Sequence, residues 1–309
     1  MKPYCCIAGT LSAAVAAITM AMASIASPTE TLETLIMRDK PAGRLLRGYT
    51  DGPYGQIHYR IVKPSASTAI PHLALHASPL SGIVFDNWLL EIGRDRLALA
   101  PDTPGYGGSD LPPNPVGIPE FADAMIAFLD NLGIEQVDVM GYHTGSFTSV
   151  DLAKRYPKRI RKVVLISAPI FDENIIAEYS QRIYQKPPKF EDMLTATADA
   201  IRANGKGLFR DVPTDERFAD ISIERIRQYR TNNWGFRAAF SYDLRTALSK
   251  VEQPTMVLNP EDDLWELTPA AIPFLKNGRI HEFPGWTHGH LDAHTAEIAS
   301  VVRAFLDEE

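Results

Sequence analysis

Short runs of Val, Ile and Leu recur along this chain, and longer segments with a helical spacing of apolar residues separate them. Runs of this length predict buried strands, and their alternation with helices is typical of a mostly parallel sheet covered by helices. We therefore predict an α/β fold with eight strands. The predicted strands are Arg47–Asp51, Gln56–Val62, Ile70–His76, Arg96–Pro101, Gln136–Met140, Lys162–Ser167, Thr255–Asn259 and Arg279–Phe283.

The segments between the strands suggest one core with an insertion. Apolar residues across Phe121–Leu132 recur at spacings of three and four, which marks one buried helix face, and Gly133 ends this helix. No strand signal occurs at 171–245, where many charges and scattered aromatic residues predict helices instead. The predicted core is therefore 46–170 together with 246–309, and the intervening segment is a helical insertion.

The N-terminus has the composition of a secretory signal peptide. Lys2 is the sole charge before an apolar, alanine-rich run at Ile7–Ala23, and small residues follow this run. We predict a signal peptide at 1–26, an N-terminal extension at 27–45, and a mature protein that is periplasmic or secreted. The alternative is a mis-set translation start, which would leave a cytoplasmic protein.

The composition excludes several classes of function. The formal net charge of −7, from 31 Lys and Arg against 38 Asp and Glu, provides no basic patch for nucleic acid. Apart from the N-terminal run, no other segment reaches the ~18 uninterrupted apolar residues that a membrane span needs. The two cysteines, Cys5 and Cys6, lie at the extreme N-terminus, so the predicted core has no cysteine-based metal or redox site. The expected partner is a small-molecule substrate.

The segment Gly141–Gly145, with the sequence GYHTG, lies between a predicted strand and a predicted helix. Flanking glycines let a chain turn sharply from strand to helix, and they hold the central side chain, here His143, at the top of the sheet. Such a pentapeptide is weak evidence alone, but landmark loops after other strands strengthen it. These loops are His76–Pro79, Asp102–Asp110, Glu261–Asp263 and Gly285–His288.

With these motifs, the chain from about Arg47 to its C-terminus resembles the α/β-hydrolase superfamily. The Asp102–Asp110 segment is similar to the branch with a helical cap, which includes epoxide hydrolases, haloalkane dehalogenases, C–C bond hydrolases and small esterases. The superfamily has a nucleophile elbow, an acid loop and a histidine loop in this order along the chain. The matching segments here are Gly141–Gly145, Glu261–Asp263 and Gly285–His288. The resemblance implies an α/β-hydrolase fold and identifies 171–245 with the cap.

The resemblance also implies a role for each matching position. It implies a nucleophile at position 143, an acid at Asp263 and a base at His288. The implied oxyanion-hole donors are the backbone N–H groups of Ala77 or Ser78 and of Thr144. The chain departs from the family at the centre of the elbow, because it has His143 where the family usually has Ser, Asp or Cys.

An imidazole at the elbow has two chemical uses. A water between His143 and His288 could be deprotonated by His288, which Asp263 would orient. Alternatively, His143 attacks an acyl carbon directly, because neutral imidazole is a competent nucleophile. Two histidines and an aspartate are also a common metal ligand set. We predict no metal and no cofactor, because a triad arrangement packs these groups to exchange protons.

Neighbouring side chains are secondary candidates. His290 is the alternative base if the histidine of the family motif aligns with position 290 instead of 288. In the same way, Asp262 is the alternative to Asp263 as the acid. The residues predicted to line a substrate pocket are His76, Tyr142, Trp234 and Trp286, for which packing in the core or cap is the alternative.

Three classes of function are consistent with these residues. The leading one is a cofactor-independent hydrolase of a small, mainly apolar ester, lactone or related carbonyl compound. The second is a lyase or cofactor-free oxygenase in which His288 and Asp263 abstract a substrate proton. The third is a binding protein without chemistry, which the presence of both an acid and a base disfavours. No sequence feature names the substrate.

Overall fold

The structure is a computed structural model, and it describes residues 43–183, 189–195 and 209–308. The predicted signal peptide and residues 27–42 of the predicted extension lie outside the described residues. The described residues form one eight-stranded sheet with the spatial order β1-β2-β4-β3-β5-β6-β7-β8. The strands are β1 (Leu46–Gly52), β2 (Gly55–Val62), β3 (His72–Leu75), β4 (Ala98–Pro101), β5 (Val137–Tyr142), β6 (Ile160–Ile166), β7 (Thr255–Pro260) and β8 (Gly278–Phe283).

The sheet is mostly parallel. Strand β2 runs antiparallel to both of its neighbours, β1 and β4, and the other neighbouring strands run parallel to each other. Every predicted strand begins and ends within two residues of an observed one. The prediction ended β5 at Met140, but the strand continues through Tyr142, because Gly141 and Tyr142 pair with Leu165 and Ile166 of β6. The predicted α/β fold is confirmed.

Helices cover the sheet and fill the described part of the insertion. The helices are α1 (Asp86–Ile92), α2 (Ile118–Asn131), α3 (Thr144–Arg155), α4 (Glu173–Ile183), α5 (Asp215–Arg227), α6 (Trp234–Phe240), α7 (Leu244–Leu248), α8 (His290–Ala293) and α9 (Thr295–Leu306), with 3-10 turns at Gly82–Phe85 and Thr268–Phe274. Where the structure describes 171–245, it contains helices and turns and no strand. In the described ranges, no helix is long and apolar enough to span a membrane.

The local sequence explains the bounds of helix α2. The Glu120 carboxylate accepts a hydrogen bond from the Gly117 backbone N–H at 3.0 Å, which satisfies one of the free donors at the helix start. Phe121, Met125 and Phe128 are buried on one face. Gly133 has a φ of +71°, the left-handed conformation that favours glycine after a helix end. The prediction that this helix stops at Gly133 is confirmed.

A buried carboxylate fixes the loop that follows β4. Asp102 is fully buried and accepts hydrogen bonds from His58 Nδ1 at 2.7 Å and from Arg60 Nη1 at 3.0 Å. It also accepts the backbone N–H groups of Gly82 at 2.7 Å and Gly108 at 2.9 Å. These contacts connect the loop to β2 and to the turn before α1, next to the carboxyl ends of the central strands.

Candidate active site

A sharp turn between β5 and α3 presents His143. Its backbone has φ 50° and ψ −112°. A Cβ atom added to Gly141 would lie 2.2 Å from the Gly145 carbonyl oxygen, and one added to Gly145 would lie 2.0 Å from the Leu75 carbonyl oxygen. Only glycine fits at these two positions, so the GYHTG sequence is what allows the turn. The result is an imidazole at the carboxyl end of the parallel strands, where ligands bind in open α/β sheets.

The His143 ring is paired with Asp262. Its Nε2 lies 2.9 Å from Asp262 Oδ2, and the hydroxyl of Ser167 donates to the same oxygen at 2.6 Å. The other carboxylate oxygen accepts the Leu264 backbone N–H at 2.8 Å. Asp262 is therefore held by three donors, and its side chain is fully buried.

Two residues with a strained backbone conformation contact the Asp262 carboxylate. Within the described ranges, His143 and Ser167 are the non-glycine residues with left-handed φ, at 50° and 52°. Both of them contact Asp262 Oδ2. Such conformations cost of order 1–3 kcal/mol and persist where surrounding contacts hold them, most often at functional sites. This coincidence marks Asp262 as part of the candidate site.

The pairing assigns the tautomer of His143. Nε2 faces an ionised carboxylate and so carries the proton, which leaves the lone pair on Nδ1. The described residues give Nδ1 no hydrogen-bond partner, and His143 lines a cavity. His143 therefore offers a free nitrogen lone pair at the base of that cavity.

His288 has both of its ring nitrogens engaged. Its Nε2 lies 2.6 Å from Asp263 Oδ1, and its Nδ1 is hydrogen-bonded to the Tyr142 hydroxyl. The side chain of His288 is buried, whereas 48% of the Asp263 side chain is exposed. The arrangement thus differs from the expected one, because Asp263 lines the cavity above His143 whereas His288 is not among its lining residues.

The carboxylates control the charge of His143. Burial alone would lower its pKa, but the charge and hydrogen bond of Asp262, together with the charge of Asp263, outweigh burial and raise the pKa above 6.5. Burial would raise the pKa of Asp262, yet His143, His288 and Ser167 hold it far below its usual range. The pKa of Asp263 is also lowered, against the effect of burial, chiefly by its hydrogen bond to His288. Both carboxylates are therefore ionised at neutral pH.

These side chains could also hold a metal ion. One ligand atom from each of His143, Asp262, Asp263 and His288 lies within 4.8 Å of the others. Imidazole and carboxylate groups suit several divalent ions. In the structure each histidine is paired with one carboxylate, so the four groups also satisfy each other without an ion. The absence of a metal requirement stays a prediction.

An apolar cavity of about 290 Å³ lies above His143. Ser78, Thr144 and Asp263 join His143 at its polar end. Its walls include the aromatic side chains Phe147, Phe171, Tyr179, Phe236 and Phe240. A small apolar molecule with one polar group fits such a site.

Two of the three predicted oxyanion-hole residues lie at the cavity. Thr144 is the first residue of α3, where the backbone N–H has no partner within the helix. The Ser78 backbone N–H makes a long contact of 3.4 Å with the Thr144 hydroxyl. Both residues line the cavity, whereas Ala77 is buried outside its lining. Of the predicted oxyanion-hole residues, Ser78 and Thr144 thus line the cavity, and their role as backbone donors stays a prediction.

The four residues predicted to line the pocket are not among its described lining residues. His76 is buried, and its Nε2 accepts the Thr103 backbone N–H at 2.9 Å. The Trp286 ring is stacked between Phe283 and His294, with centroid distances of 4.3 Å and 4.0 Å. Trp234 begins helix α6, and Tyr142 points at His288. His76, Tyr142 and Trp286 are thus engaged by ring packing or by hydrogen bonds outside the cavity lining.

The alternative base, His290, is also separate from the acid loop. Its Nδ1 donates to the Thr287 carbonyl oxygen at 2.9 Å, and its side chain is buried. Burial lowers its pKa to about 4. Asp263 contacts His288 instead, which is the pairing that the sequence predicted.

Comparison with protein families identifies the fold family. The family model described as the alpha/beta hydrolase fold matches residues 76–264, which is more than half of the chain. The chain belongs to the α/β-hydrolase family. This confirms the resemblance that the elbow and loop motifs indicated.

Several known proteins are similar to this α/β-hydrolase. The 2-hydroxymuconate semialdehyde hydrolase of a Pseudomonas species is 23% identical over 266 residues, covering 79% of this chain and 89% of that protein. A bifunctional esterase/perhydrolase from Acinetobacter calcoaceticus is 26% identical over 259 residues, covering 75% and 89%. The solved structure of an enol-lactonase from Burkholderia xenovorans superposes with a TM-score of 0.69 at 20% identity, covering 84% of this chain and 100% of that one.

Sequence reasoning under-weighted Asp262 and missed Ser167 in this α/β-hydrolase. The adjacent Asp262 and Asp263 gave a signal, because either could be the acid after β7. In the structure both are used, one by each histidine. Nothing in the local sequence of Ser167 distinguishes it from an ordinary serine at a strand end, so its contact with Asp262 required the fold.

Proposed function

We propose that this α/β-hydrolase is a cofactor-independent hydrolase of a small, mainly apolar ester, lactone or related carbonyl compound. The observation that carries the proposal is the His143–Asp262 pair at the elbow, beneath an aromatic cavity. The names of the similar proteins, which include an esterase and an enol-lactonase, are consistent with this class of substrate.

In the proposed mechanism, the substrate carbonyl lies above His143. Its oxygen points to the backbone N–H groups of Ser78 and Thr144, which stabilise the negative charge of the tetrahedral intermediate. Nδ1 of His143 accepts a proton from a water molecule as that water attacks the carbonyl carbon. Asp262 stabilises the resulting imidazolium. The intermediate then collapses as His143 returns the proton to the leaving alkoxide, which gives an acid and an alcohol.

The predicted dyad of His288 and Asp263 has a supporting role in this mechanism. A histidine that takes a proton from water needs a free lone pair, and His288 is already bonded to Asp263 and Tyr142. Asp263 reaches the cavity, so its carboxylate strengthens His143 as a base and accepts a hydrogen bond from the attacking water. His288 then holds Asp263 in place.

Direct attack by His143 is an alternative route, in which Nδ1 of His143 attacks the carbonyl carbon instead of activating a water molecule. Nδ1 would bond to the carbonyl carbon as the C–O bond to the alkoxide breaks, which leaves an acyl-imidazolium. The alkoxide would take a proton from a water molecule, and the resulting hydroxide would hydrolyse the acyl-imidazolium to the acid and free His143. The two routes share every residue named above. Rapid quenching and mass spectrometry distinguish them, because only direct attack adds the acyl mass to a peptide that contains His143.

Esters and lactones assayed with purified protein test the proposal. We expect turnover that is unchanged by a chelator, and a loss on the order of 10²-fold or more, ~3 kcal/mol of barrier, in His143→Ala. Asp130→Asn, an exposed aspartate on α2, is the control for an unrelated loss of charge. Near wild-type turnover in a folded His143→Ala variant would contradict the mechanism. Loss of activity with chelator, restored by a divalent ion, would contradict the cofactor-free chemistry.

A further inference from the structure

A second cavity lies directly behind the aromatic wall of the first. Its volume is about 620 Å³, and its lining combines apolar side chains, among them Ile170, Ile176 and Leu244, with charged ones such as Asp172, Asp243 and Arg245. The residues that line both cavities are Phe147, Pro169, Phe171, Ala239 and Phe240. One shared wall therefore separates the site at His143 from a cavity about twice as large.

Stacked aromatic rings form this wall. The ring centroids of Phe171 and Phe240 are 4.4 Å apart with an interplanar angle of 27°. Phe147 stacks on Phe171 at 6.2 Å, and Tyr179 stacks on Phe240 at 5.1 Å. Phe147 is fully buried and fixed by helix α3, whereas Phe171 and Phe240 are partly exposed. Replacing either Phe171 or Phe240 by alanine should therefore open this part of the wall without disturbing helix α3.

We infer that the stacked pair of Phe171 and Phe240 sets the length of the acyl chain that the site accepts. The inference rests on the proposed function, in which the acyl carbonyl is at His143. An acyl chain that extends from His143 runs between aromatic side chains and meets the stacked rings. The first cavity is near the lower limit of small-molecule sites, so the intact wall restricts the enzyme to short acyl groups.

Removing one ring joins the two cavities. Beyond the wall, Ile170, Ile176 and Leu244 offer apolar surface to a longer chain. Each methylene that becomes buried there improves binding by roughly fourfold. The preference should therefore move from short to long chains, and the gain should grow with each added methylene until the chain reaches the charged side chains of the lining, such as Asp172 and Arg245.

The test compares kcat/KM for p-nitrophenyl esters with acyl chains of increasing length, from acetyl to dodecanoyl. We expect Phe240→Ala and Phe171→Ala each to raise the ratio of decanoyl to butanoyl kcat/KM by at least tenfold. Phe236→Ala is the matched control, because Phe236 is on the same helix and lines only the first cavity. It should change kcat/KM for all chain lengths by similar factors.

A blocking variant tests the second cavity itself. Ile176 lines only that cavity, so Ile176→Trp added to Phe240→Ala should fill it and return the preference to short chains. Unchanged chain-length profiles in folded Phe171→Ala and Phe240→Ala would overturn the inference. An equal shift in Phe236→Ala, or a double variant that keeps the long-chain preference, would do the same.

Binding measurements separate this inference from the proposed function. Calorimetric titration with straight-chain alkyl methyl ketones reports the length of the pocket without any hydrolysis. If the wild type hydrolysed no ester, stronger binding of long ketones to Phe240→Ala than to wild type would still support the aromatic wall. Equal binding of long ketones to both proteins would overturn it.

Discussion

Asp262 determines the chemistry of the histidine at the elbow. The family position for a nucleophile holds an imidazole in this chain, and the carboxylate fixes its tautomer and leaves Nδ1 free toward the cavity. Ser167 and the Leu264 backbone N–H fix the carboxylate in turn. An uncommon residue at the elbow is thus accompanied by its own acid, separate from the Asp263 that contacts His288.

Asp262→Asn should change both the rate and its pH dependence. The amide keeps the size of the side chain but removes the charge that raises the pKa of His143. In the proposed mechanism neutral His143 is the active form, so wild-type kcat/KM should rise with pH and level off above a pKa that is higher than 6.5. In Asp262→Asn this rise should occur at lower pH, and the plateau should fall by on the order of 10²–10⁴.

The pH–rate profile of kcat/KM measures both effects, with Asp130→Asn as the control. A variant that keeps the wild-type plateau would mean that Asp262 does not orient the base. If the plateau fell but the rise of kcat/KM occurred at the same pH as in the wild type, a group other than His143 would be the one that titrates.

At the residue scale, the sequence alone does not show which of Asp262 and Asp263 contacts which histidine. Both follow β7, and either fits the acid position of the family motif. Their directions depend on the turn after β7 and on donors from Ser167 and Leu264, of which Ser167 lies far away in the sequence. No local pattern encodes such a contact. The elbow itself was predictable, because its glycines are required by the turn they make.

At the scale of the elements, burial patterns made the strands predictable. Central strands such as β5 and β6 are buried almost throughout, and they read as continuous apolar runs. The two-residue extension of β5 was missed because Gly141 and Tyr142 read as part of the turn. Pairing with β6 overrides that local signal. The insertion was predictable only as helical, since its packing on the core involves scattered aromatic residues without a period.

The buried Asp102 cluster should be a main contributor to the stability of the core. Asp102→Ala leaves Arg60 without one of its carboxylate partners and leaves the Gly82 and Gly108 N–H groups unpaired. Removing one partner of a buried ion pair typically costs about 3–5 kcal/mol. Asp130→Ala is the control, because its ion pair with Arg159 is exposed and should contribute less than about 1 kcal/mol.

Urea denaturation of both variants measures these free energies of unfolding. If Asp102→Ala lost no more stability than Asp130→Ala, the buried cluster would not hold the loop after β4 against β2. In that case the loop next to the candidate site would have to be fixed by its other contacts, such as the hydrogen bond from Ser109 to the Asp102 carbonyl oxygen.

For the whole molecule, two buried histidines link stability to pH. His72 accepts the indole N–H of Trp88 at 3.1 Å, and His290 donates to the Thr287 carbonyl oxygen at 2.9 Å. Burial is the main cause that lowers the pKa of His72 to about 3 and that of His290 to about 4. Both are neutral in the folded protein at mildly acidic pH, where the unfolded chain is protonated.

The free energy of unfolding should therefore fall in acid. Above pH 6.5 both histidines are neutral in the folded and unfolded states, so they add no pH dependence. Below pH 6.5 the unfolded state binds protons that the folded state does not, and each histidine costs about 1.4 kcal/mol per pH unit. This loss continues to about pH 4 for His290 and to about pH 3 for His72, where the folded protein is also protonated.

Urea denaturation at a series of pH values between 7.5 and 4.5 tests this linkage, with His72→Gln as the informative variant. Glutamine can still accept the Trp88 indole N–H but does not titrate, so below pH 6.5 the variant should lose about 1.4 kcal/mol per pH unit less than the wild type, and between pH 7.5 and 6.5 the two slopes should be the same. The comparison uses slopes, so a lower stability of the variant at pH 7.5 does not affect it. Identical slopes would show that the pKa of His72 is not lowered in the folded protein.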